Sequence, residues 1–388
     1  RGSWHDPAGK EGLAHLLSAT LVEGAGDLDS QAFRARIDDQ AITLSFDSGL
    51  DQFSGELQTL SAFRDDAFEL LALSMTRPRF DPEPVELMKS QIMASIAREA
   101  VDAGKIASKN WFSAAYGDTG YGRPSSGTLE SVKTLGPDDL RGFYTEILAL
   151  EDMKIGVVGD ISAEELGPLL DRTFGGLSRK SALAPIPDSV PAPGPNVIAV
   201  EMDVPQTELR FGMRGLERSD PDFVPAYVMN YILGGGGFAS RLYDEVREKR
   251  GLSYSVYSYL YPLKGSGIWY GGAATRADRV QTTLEVIKDQ ISLMGEQGPS
   301  EAELDAAKRY LTGAYPLRFD SNSKIANQLV GIQFEDLGID YVDRRNDMIR
   351  AVTIEDVRRV ARRLLQPDQM IVVLVGSGES IATSESGG

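Results

Sequence analysis

Hydrophobic periodicity along the second half of the chain predicts a mixture of helices and strands. Apolar residues recur with helical spacing in five segments, residues 226–233, 240–250, 277–294, 300–313 and 353–365. Runs of β-branched and aromatic residues predict five strands, residues 197–200, 208–213, 252–261, 269–274 and 371–376. Because the strands come in runs with the helices grouped between them, the pattern indicates the α+β class, with an antiparallel-rich sheet and helices packed on one face.

The two halves of the chain are similar in the order and spacing of these patterns. An offset of 210 residues aligns Leu44 with Tyr254. An offset of 217 aligns two short apolar runs, residues 154–159 and 371–376, each of which follows an amphipathic helix. Such agreement predicts an internal duplication, in which each half forms one α+β domain and both apolar runs are strands. The alternative is a pair of unrelated domains of one common class.

A proline-rich segment separates the halves. Residues 181–195 have the sequence SALAPIPDSVPAPGP. Proline lacks a backbone donor and favours extended backbone, so this segment is predicted to be a semi-rigid surface connector. The predicted organisation is an N-terminal domain at residues 1–182, a linker at 183–195 and a C-terminal domain at 196–388.

Composition excludes several classes of chemistry. The 388 residues include 40 Lys and Arg and 57 Asp and Glu, a net charge of −17, which argues against nucleic acid and anionic membranes as main partners. There is no cysteine and there are two histidines, His5 and His15, so this chain alone cannot build a thiolate site or a histidine-rich metal site. The longest candidate for a membrane span, residues 226–240, contains four glycines and is shorter than the roughly 20 apolar residues that a spanning helix needs.

The start of the sequence carries no pattern of a signal peptide. The first strand of the N-terminal sheet is expected upstream of Gly2, since the duplicated pattern begins too late to include it. A chain without cysteine suits the cytoplasm and the periplasm equally, so composition leaves the compartment open.

The first candidate site is the segment GKEGLAHLLSA, which contains His15. Taken alone, one histidine on an amphipathic helix is most simply a structural group. The segment nevertheless resembles the start of the inverted zinc motif H-x-x-E-H of the pitrilysin/insulinase zinc peptidases. In that motif two histidines bind zinc, the glutamate between them is the general base, and a distant glutamate completes the site.

Residue by residue, the zinc motif is degenerate in this chain. His15 is retained, but the base position is Ser18, the second histidine position is Ala19 and the distant ligand position falls at Ser95. Glu99 lies one helical turn beyond Ser95 and is the one carboxylate that could replace the missing ligand. A catalytic zinc needs three protein ligands, so the resemblance implies a lost active site with no metal in this chain.

The second candidate site lies in residues 232–257, ILGGGGFASRLYDEVREKRGLSYSVY. This stretch resembles the second domain of the same family, and the resemblance extends from about residue 8 to residue 376. It implies that Arg247 and Tyr254 hold the substrate backbone and stabilise an oxyanion, as two converging donors can. The structural alternative is that Arg247 only complements a helix C-terminus. Tyr254 would then belong to the core with Leu252 and Val256.

Four consecutive glycines precede this pair, namely Gly234, Gly235, Gly236 and Gly237. Their spacing formally matches a dinucleotide-binding fingerprint, but that motif follows a strand and needs an acidic residue about 20 positions later. Here the run follows a helical pattern. A glycine run between two helices indicates a mobile or closely approached loop, and the family resemblance implies that this loop contacts substrate.

The resemblance implies a non-catalytic subunit of the short bacterial two-domain form, which forms half of a clamshell. A homologous zinc-bearing peptidase subunit would complete a heterodimer and supply zinc, and peptides would be the substrate. The first alternative is a homodimeric binding or scaffold protein without proteolytic function. The second is an unrelated hydrolase, which the scarcity of histidine disfavours. The resemblance favours the periplasm over the cytoplasm.

Overall fold

The computed structural model describes residues 1–194 and 196–377. The first half is mainly helical. Its helices are Leu13–Thr20 (α1), Ser30–Asp39 (α2), Arg64–Thr76 (α3), Pro82–Glu99 (α4), Ala103–Tyr116 (α5), Leu129–Thr134 (α6), Pro137–Ile147 (α7) and Ala163–Phe174 (α8). Its strands, Thr43–Ser48 (β1) and Phe53–Gln58 (β2), form an antiparallel hairpin. Side-chain caps such as Asp29 and Ser162 begin several of these helices by accepting backbone hydrogen bonds.

The second half combines helices with a larger sheet. Its helices are Phe223–Asn230 (α9), Val280–Gln297 (α10), Glu301–Gly313 (α11), Asn322–Phe334 (α12), Tyr341–Ala351 (α13) and Ile354–Leu364 (α14). Two further segments are π-helical, Tyr231–Gly235 (π1) and Tyr243–Glu248 (π2). The strands are Asn196–Glu201 (β3), Thr207–Arg214 (β4), Ser253–Leu263 (β5), Ser266–Thr275 (β6) and Ile371–Gly376 (β7). A capping box of Ser300 and Glu303 begins α11.

The five strands of the second half form one sheet in the order β3-β7-β4-β6-β5. The β3–β7 pair is parallel and the other pairs are antiparallel, so the antiparallel-rich α+β architecture expected from the sequence is confirmed. Strand β5 lies at one edge of this sheet. Alternate residues of the strands, among them Phe211 and Val372, face a core with α9, α10 and α14.

Helix α5 covers part of the opposite face of this sheet, although it comes from the first half of the chain. Trp111 on α5 is fully buried and donates from Nε1 to the carbonyl of Ile371 at 3.2 Å. Gly212 makes room for it, because a Cβ there would lie 2.6 Å from the Trp111 ring. The helices expected on one face are those of the core side, and α5 is a further helix on the other face.

Two pairs of helices keep the predicted offsets between the halves. Helix α9 begins and ends 210 residues after α1, and α14 ends 217 residues after α7. Contacts divide the chain into two compact units, of which the first comprises Arg1–Glu99, Asp118–Ile186 and Ser321–Val330, and the second comprises the rest. Each unit thus includes a helical segment from the other half, α5 in the second unit and most of α12 in the first.

One predicted strand is wrong. Residues 154–159 form no strand, whereas the equivalent residues, β7, lie between two hydrogen-bonded neighbours. Residues 154–159 pair with no strand of the described chain, and a ladder forms only between two adjacent strands.

The predicted connector has no regular structure over residues 183–194, and Pro195 lies outside the described residues, as do residues 378–388 of the predicted C-terminal domain. The helix predicted to stop at Gly234 continues through Gly235, because the backbone widens into π1 there. Across the described ranges, no helix combines the length and apolar character needed to cross a bilayer.

Candidate functional site

The degenerate zinc motif lies on α1, in the first unit. Ser18 is buried and its hydroxyl donates to the carbonyl of His15 at 2.8 Å, within the same helix. The side chain of Ala19, at the second histidine position, has no atom that could bind a metal. The position that would hold the general base is therefore occupied by a hydroxyl that is already used locally, as is common for serine inside helices.

His15 is near carboxylates but does not share a metal site with them. Burial lowers the pKa of His15, while the charges of Asp47 and Glu99 oppose that shift. Ser95 and Glu99 lie on the last turns of α4. No group of three or more His, Cys, Asp or Glu side chains able to hold a metal occurs in the described ranges. The side chains at these positions do not fit a catalytic zinc ion, which needs three protein ligands.

The second candidate site lies where π2 turns into β5, in the second unit. The turn needs a left-handed residue, and Gly251 supplies it with φ +59°. The amide of Gly251 donates to the carbonyl of Arg247 at 2.9 Å, and that of Leu252 donates to Val246 at 2.8 Å. These bonds close the helix end and bring Arg247 next to the start of the strand.

A β-bulge turns Tyr254 away from the core. The register of β5 against β6 shifts between Ser253 and Val256, so one extra residue is inserted in β5. The Ser253 hydroxyl holds the bulge by contacting the carbonyls of Ser255 and Ala274 at 2.7 and 2.6 Å. Tyr254 is consequently 77% exposed. The alternative that Tyr254 shares a buried face with its neighbours is therefore wrong.

Arg247 is stacked among three aromatic rings. Its guanidinium carbon lies 4.6 Å from the ring centre of Tyr254, 4.7 Å from that of Tyr243 and 5.7 Å from that of Phe238. Phe238 itself packs edge-on against Tyr243 at 4.7 Å. Each cation–π contact of this kind contributes about 0.5–1 kcal/mol when exposed. The rings therefore orient the arginine without using its hydrogen-bond donors.

The donors of this pair are available for a ligand. Arg247 makes one weak ion pair, 3.9 Å from Nε to Glu248, and no side-chain hydrogen bond within the described chain. The hydroxyl of Tyr254 likewise has no partner among the described residues. The structure thus brings together the two residues that the sequence analysis selected, and it leaves both with unused donors that reach solvent.

The glycine run is partly helical rather than an open loop. Gly234 belongs to π1, and a Cβ there would lie 2.3 Å from the Ser258 hydroxyl, so only glycine permits this approach to β5. Gly237 has φ +55° and open space around it. Gly235 and Gly236 are also closely packed, which favours the closely approached loop over the mobile one. The turn ends at Phe238, whose ring is 80% exposed.

Several residues that support this site were missed by the sequence analysis. Arg241 forms a two-pronged ion pair with Glu303 at 2.6 and 2.8 Å, and this hydrogen bonding lowers the pKa of Glu303 to about 2. Asn230 is buried and accepts hydrogen bonds from the Ser258 hydroxyl and from Trp269, both at 2.8 Å. The sequence signal for Arg241 was local, because Phe238 and Arg241 follow the glycine run within four residues.

Comparison with known sequences identifies the same region. The pattern described as "Peptidase M16 inactive domain" matches residues 134–311, which include the glycine run, Arg247 and Tyr254. The "Non-peptidase homolog YmxG" of Helicobacter pylori is 24% identical over 348 residues, 89% of this chain and 80% of that protein. The "Uncharacterized zinc protease YmxG" of Bacillus subtilis is 25% identical over 384 residues, 97% of this chain and 91% of that protein.

A solved structure gives the same assignment. The crystal structure of a peptidase M16 inactive domain from Pseudomonas fluorescens superposes with a TM-score of 0.89 at 30% identity, over 97% of this chain and 90% of that one. Fold, sequence pattern and relatives agree with the resemblance to the pitrilysin/insulinase peptidases. The chain belongs to the peptidase M16 family and is similar to members described as an inactive domain and as a non-peptidase homologue.

Proposed function

We propose that this chain is the non-catalytic subunit of a heteromeric zinc peptidase. A homologous subunit with an intact motif supplies the zinc and the general base. This chain contributes Arg247, Tyr254 and the glycine run to the surface that receives the peptide. The observation that carries the proposal is that the Arg247–Tyr254 pair is held in place by a turn, a bulge and aromatic stacking, while its donors remain unused.

The chemistry of the pair suits a peptide whose carbonyl is under attack. Negative charge develops on the carbonyl oxygen as the tetrahedral intermediate forms, and preorganised donors stabilise that charge more than they stabilise the substrate. The Tyr254 hydroxyl and the Arg247 guanidinium are such donors, one neutral and one cationic. Arg247 can in addition bind the peptide backbone before reaction begins.

The surroundings of the pair reduce the entropy lost on binding. An unsupported arginine would lose several rotatable bonds of freedom when it docks onto substrate. Stacking of the guanidinium on Tyr243 and Phe238 has already restricted those rotations in the free subunit. Such preorganisation is expected of residues that act on a transition state.

The experiment combines this chain with its zinc-bearing homologue and measures peptide turnover. Tyr254→Phe keeps the ring and removes only the hydroxyl, so assembly and substrate affinity are expected to stay nearly unchanged. Loss of one transition-state donor is expected to lower kcat about a hundredfold. Tyr310→Phe is the matched control, because Tyr310 is also exposed, at 59%, and lies outside the site.

Arg247→Ala is expected to raise KM as well as lower kcat, since the cation acts in both binding and reaction. Arg309→Ala, an exposed arginine on α11, serves as its control. Activities within about twofold of the unmodified pair for both site variants would contradict the composite site. In that case the homodimeric binding or scaffold protein becomes the better description.

A further inference from the structure

A cavity in the second unit is lined mainly by positive charge, whereas the whole protein is acidic. It has a volume of about 420 Å³ and lies between α9, π1, β5 and α13. Three arginines, Arg218, Arg318 and Arg345, line it together with one acidic residue, Glu335. The chain as a whole has a net charge of −17. The cavity is here called the arginine pocket. Its excess of arginines is not what the acidic composition of the whole chain would predict.

Two of these arginines are held rigidly on aromatic rings. The guanidinium of Arg345 lies 4.1 Å from the ring centre of Tyr315, and the residue is only 7% exposed. Its Nη1 donates to the carbonyl of Leu311 at 3.1 Å. Arg218 lies 4.3 Å from the ring centre of Phe223 and donates to the hydroxyl of Tyr341 at 2.9 Å. Nη1 of Arg345 also donates to Oδ1 of Asn346 at 3.0 Å, so rings and hydrogen bonds together orient both cations.

The arginines keep donors for a ligand. No hydrogen bond joins Nε or Nη2 of Arg345 to another described residue, and neither atom is buried out of reach of solvent. Arg318 is exposed and has no hydrogen bond or ion pair with any residue that the structure describes. Guanidinium groups offer paired N–H donors that match the two oxygens of a carboxylate. The arrangement therefore favours an anion that accepts several hydrogen bonds.

The remaining walls of the pocket are apolar or aromatic. Tyr227, Tyr231, Leu260, Met348 and Ile349 all line it. A cavity of this volume is at the lower end of the range for small-ligand sites, which suits one or two amino-acid residues rather than a larger molecule. Glu335 in the lining disfavours anions of higher charge, such as a phosphate dianion. A singly charged carboxylate on an apolar body fits best.

We propose that the arginine pocket binds the free C-terminal carboxylate of a peptide whose last side chain is apolar. The proposal rests on the proposed function in taking a peptide as the ligand. Gly235 and Tyr231 of π1 form part of the pocket wall, so a bound chain end lies beside the glycine run. The pocket is separate from Arg247 and Tyr254, neither of which lines it.

The test is a calorimetric titration of the full chain, without any partner subunit, with acetyl-Ala-Phe as the free acid and as the C-terminal amide. The acid is expected to bind one to one, and the amide at least about tenfold more weakly, because charge-assisted hydrogen bonds are lost. Arg318→Gln is expected to weaken binding of the acid about tenfold. Arg309→Gln, on the exposed face of α11, is the matched control and should bind normally.

Three results would each overturn the proposal. They are equal affinity for acid and amide, no saturable binding of the acid up to about 10 mM, and an Arg318→Gln variant that binds like the control. Inorganic phosphate that binds more tightly than the acid would also overturn it, since the pocket would then be a phosphate site. The titration uses this chain alone and measures no turnover, so its outcome is independent of the composite-site experiment.

Discussion

Two equivalent segments, α2 with β1 in the first half and π2 with β5 in the second, follow the same order but place their side chains in opposite environments. At the positions equivalent to Arg247 and Tyr254, 210 residues earlier, the first half has Ile37 and Leu44. Both pack in the apolar cluster around Phe33, and Leu44 is 8% exposed. Tyr254 is 77% exposed and stacks under a cation.

The difference shows that this arrangement of helix and strand does not require a cation or an exposed tyrosine. The hairpin of β1 and β2 has an uninterrupted register, so its side chains alternate regularly and Leu44 reaches the core. The bulge in β5 breaks that alternation at Tyr254. Bulges that redirect a side chain are typical of functional sites. The second half therefore departs from the common plan at the two residues to which we assign chemistry.

The largest expected effect is the difference in unfolding free energy between substitutions at Leu44 and at Tyr254. Leu44→Ala removes a buried side chain and should lower the free energy of unfolding by about 3 kcal/mol, through lost burial and a cavity. Tyr254→Ala removes an exposed ring and one cation–π contact, and should cost less than about 1 kcal/mol. Urea denaturation followed by circular dichroism measures both. Similar losses for the two variants would mean that Tyr254 also serves packing.

A smaller effect concerns the ion pair that only the second half has. Arg241 lies just before π2 and joins it to Glu303 on α11. The position equivalent to Arg241 is Gln31, so the first half has no counterpart of this ion pair. The hydrogen bonds from Arg241 lower the pKa of Glu303 from 4.5 to about 2. A carboxyl with a lowered folded pKa adds stability that is fully present above its unfolded pKa and is lost as the pH falls through its folded pKa.

Glu303→Gln should accordingly destabilise the protein by about 1–2 kcal/mol at pH 7, after allowance for solvent screening. The difference from the unmodified protein should shrink as the pH falls from about 4.5 towards 2. Denaturation curves at pH 7 and pH 3 provide the comparison. Glu301→Gln, in the same turn of α11, is the control. A deficit that stays constant with pH would show that the stability does not come from the ionised carboxylate of Glu303.

The smallest expected effect comes from replacing a residue of the second half by the residue type at the equivalent position of the first half. Tyr243 is buried, and its hydroxyl has no hydrogen-bond partner in the described structure. The equivalent residue, Phe33, is fully buried and lacks the hydroxyl. Removing an unsatisfied polar group should raise the free energy of unfolding, so Tyr243→Phe is expected to stabilise the protein by up to about 1 kcal/mol. A loss of stability would indicate an unseen partner for that hydroxyl.

Sequence patterns predicted the large elements because their signals are local. Helix periodicity, the Ser300–Glu303 capping box and the aromatic strand before Trp269 each depend on neighbouring residues. The failure at residues 154–159 has the opposite origin, since an apolar run becomes a strand only if another strand lies beside it. Propensity within six residues contains no information about that neighbour.

For the candidate site, the sequence suggested residues but not their geometry. Motif resemblance selected Arg247 and Tyr254, while regular strand alternation would have placed Tyr254 in the core. A bulge depends on the register of β5 against its hairpin partner β6, which the alternation of residues along β5 alone does not show. The stacking of Arg247 on Phe238 has the same dependence, because it arises only after π1 and π2 have folded.

The central claim is that this chain has lost zinc chemistry of its own and keeps only the supporting half of a site. The most direct measurement is the metal content and peptidase activity of the purified chain without its partner. Ser18 and Ala19 at the base and ligand positions predict far less than one zinc per chain and no peptide cleavage. One tightly bound zinc per chain, with cleavage that a chelator abolishes, would contradict the account.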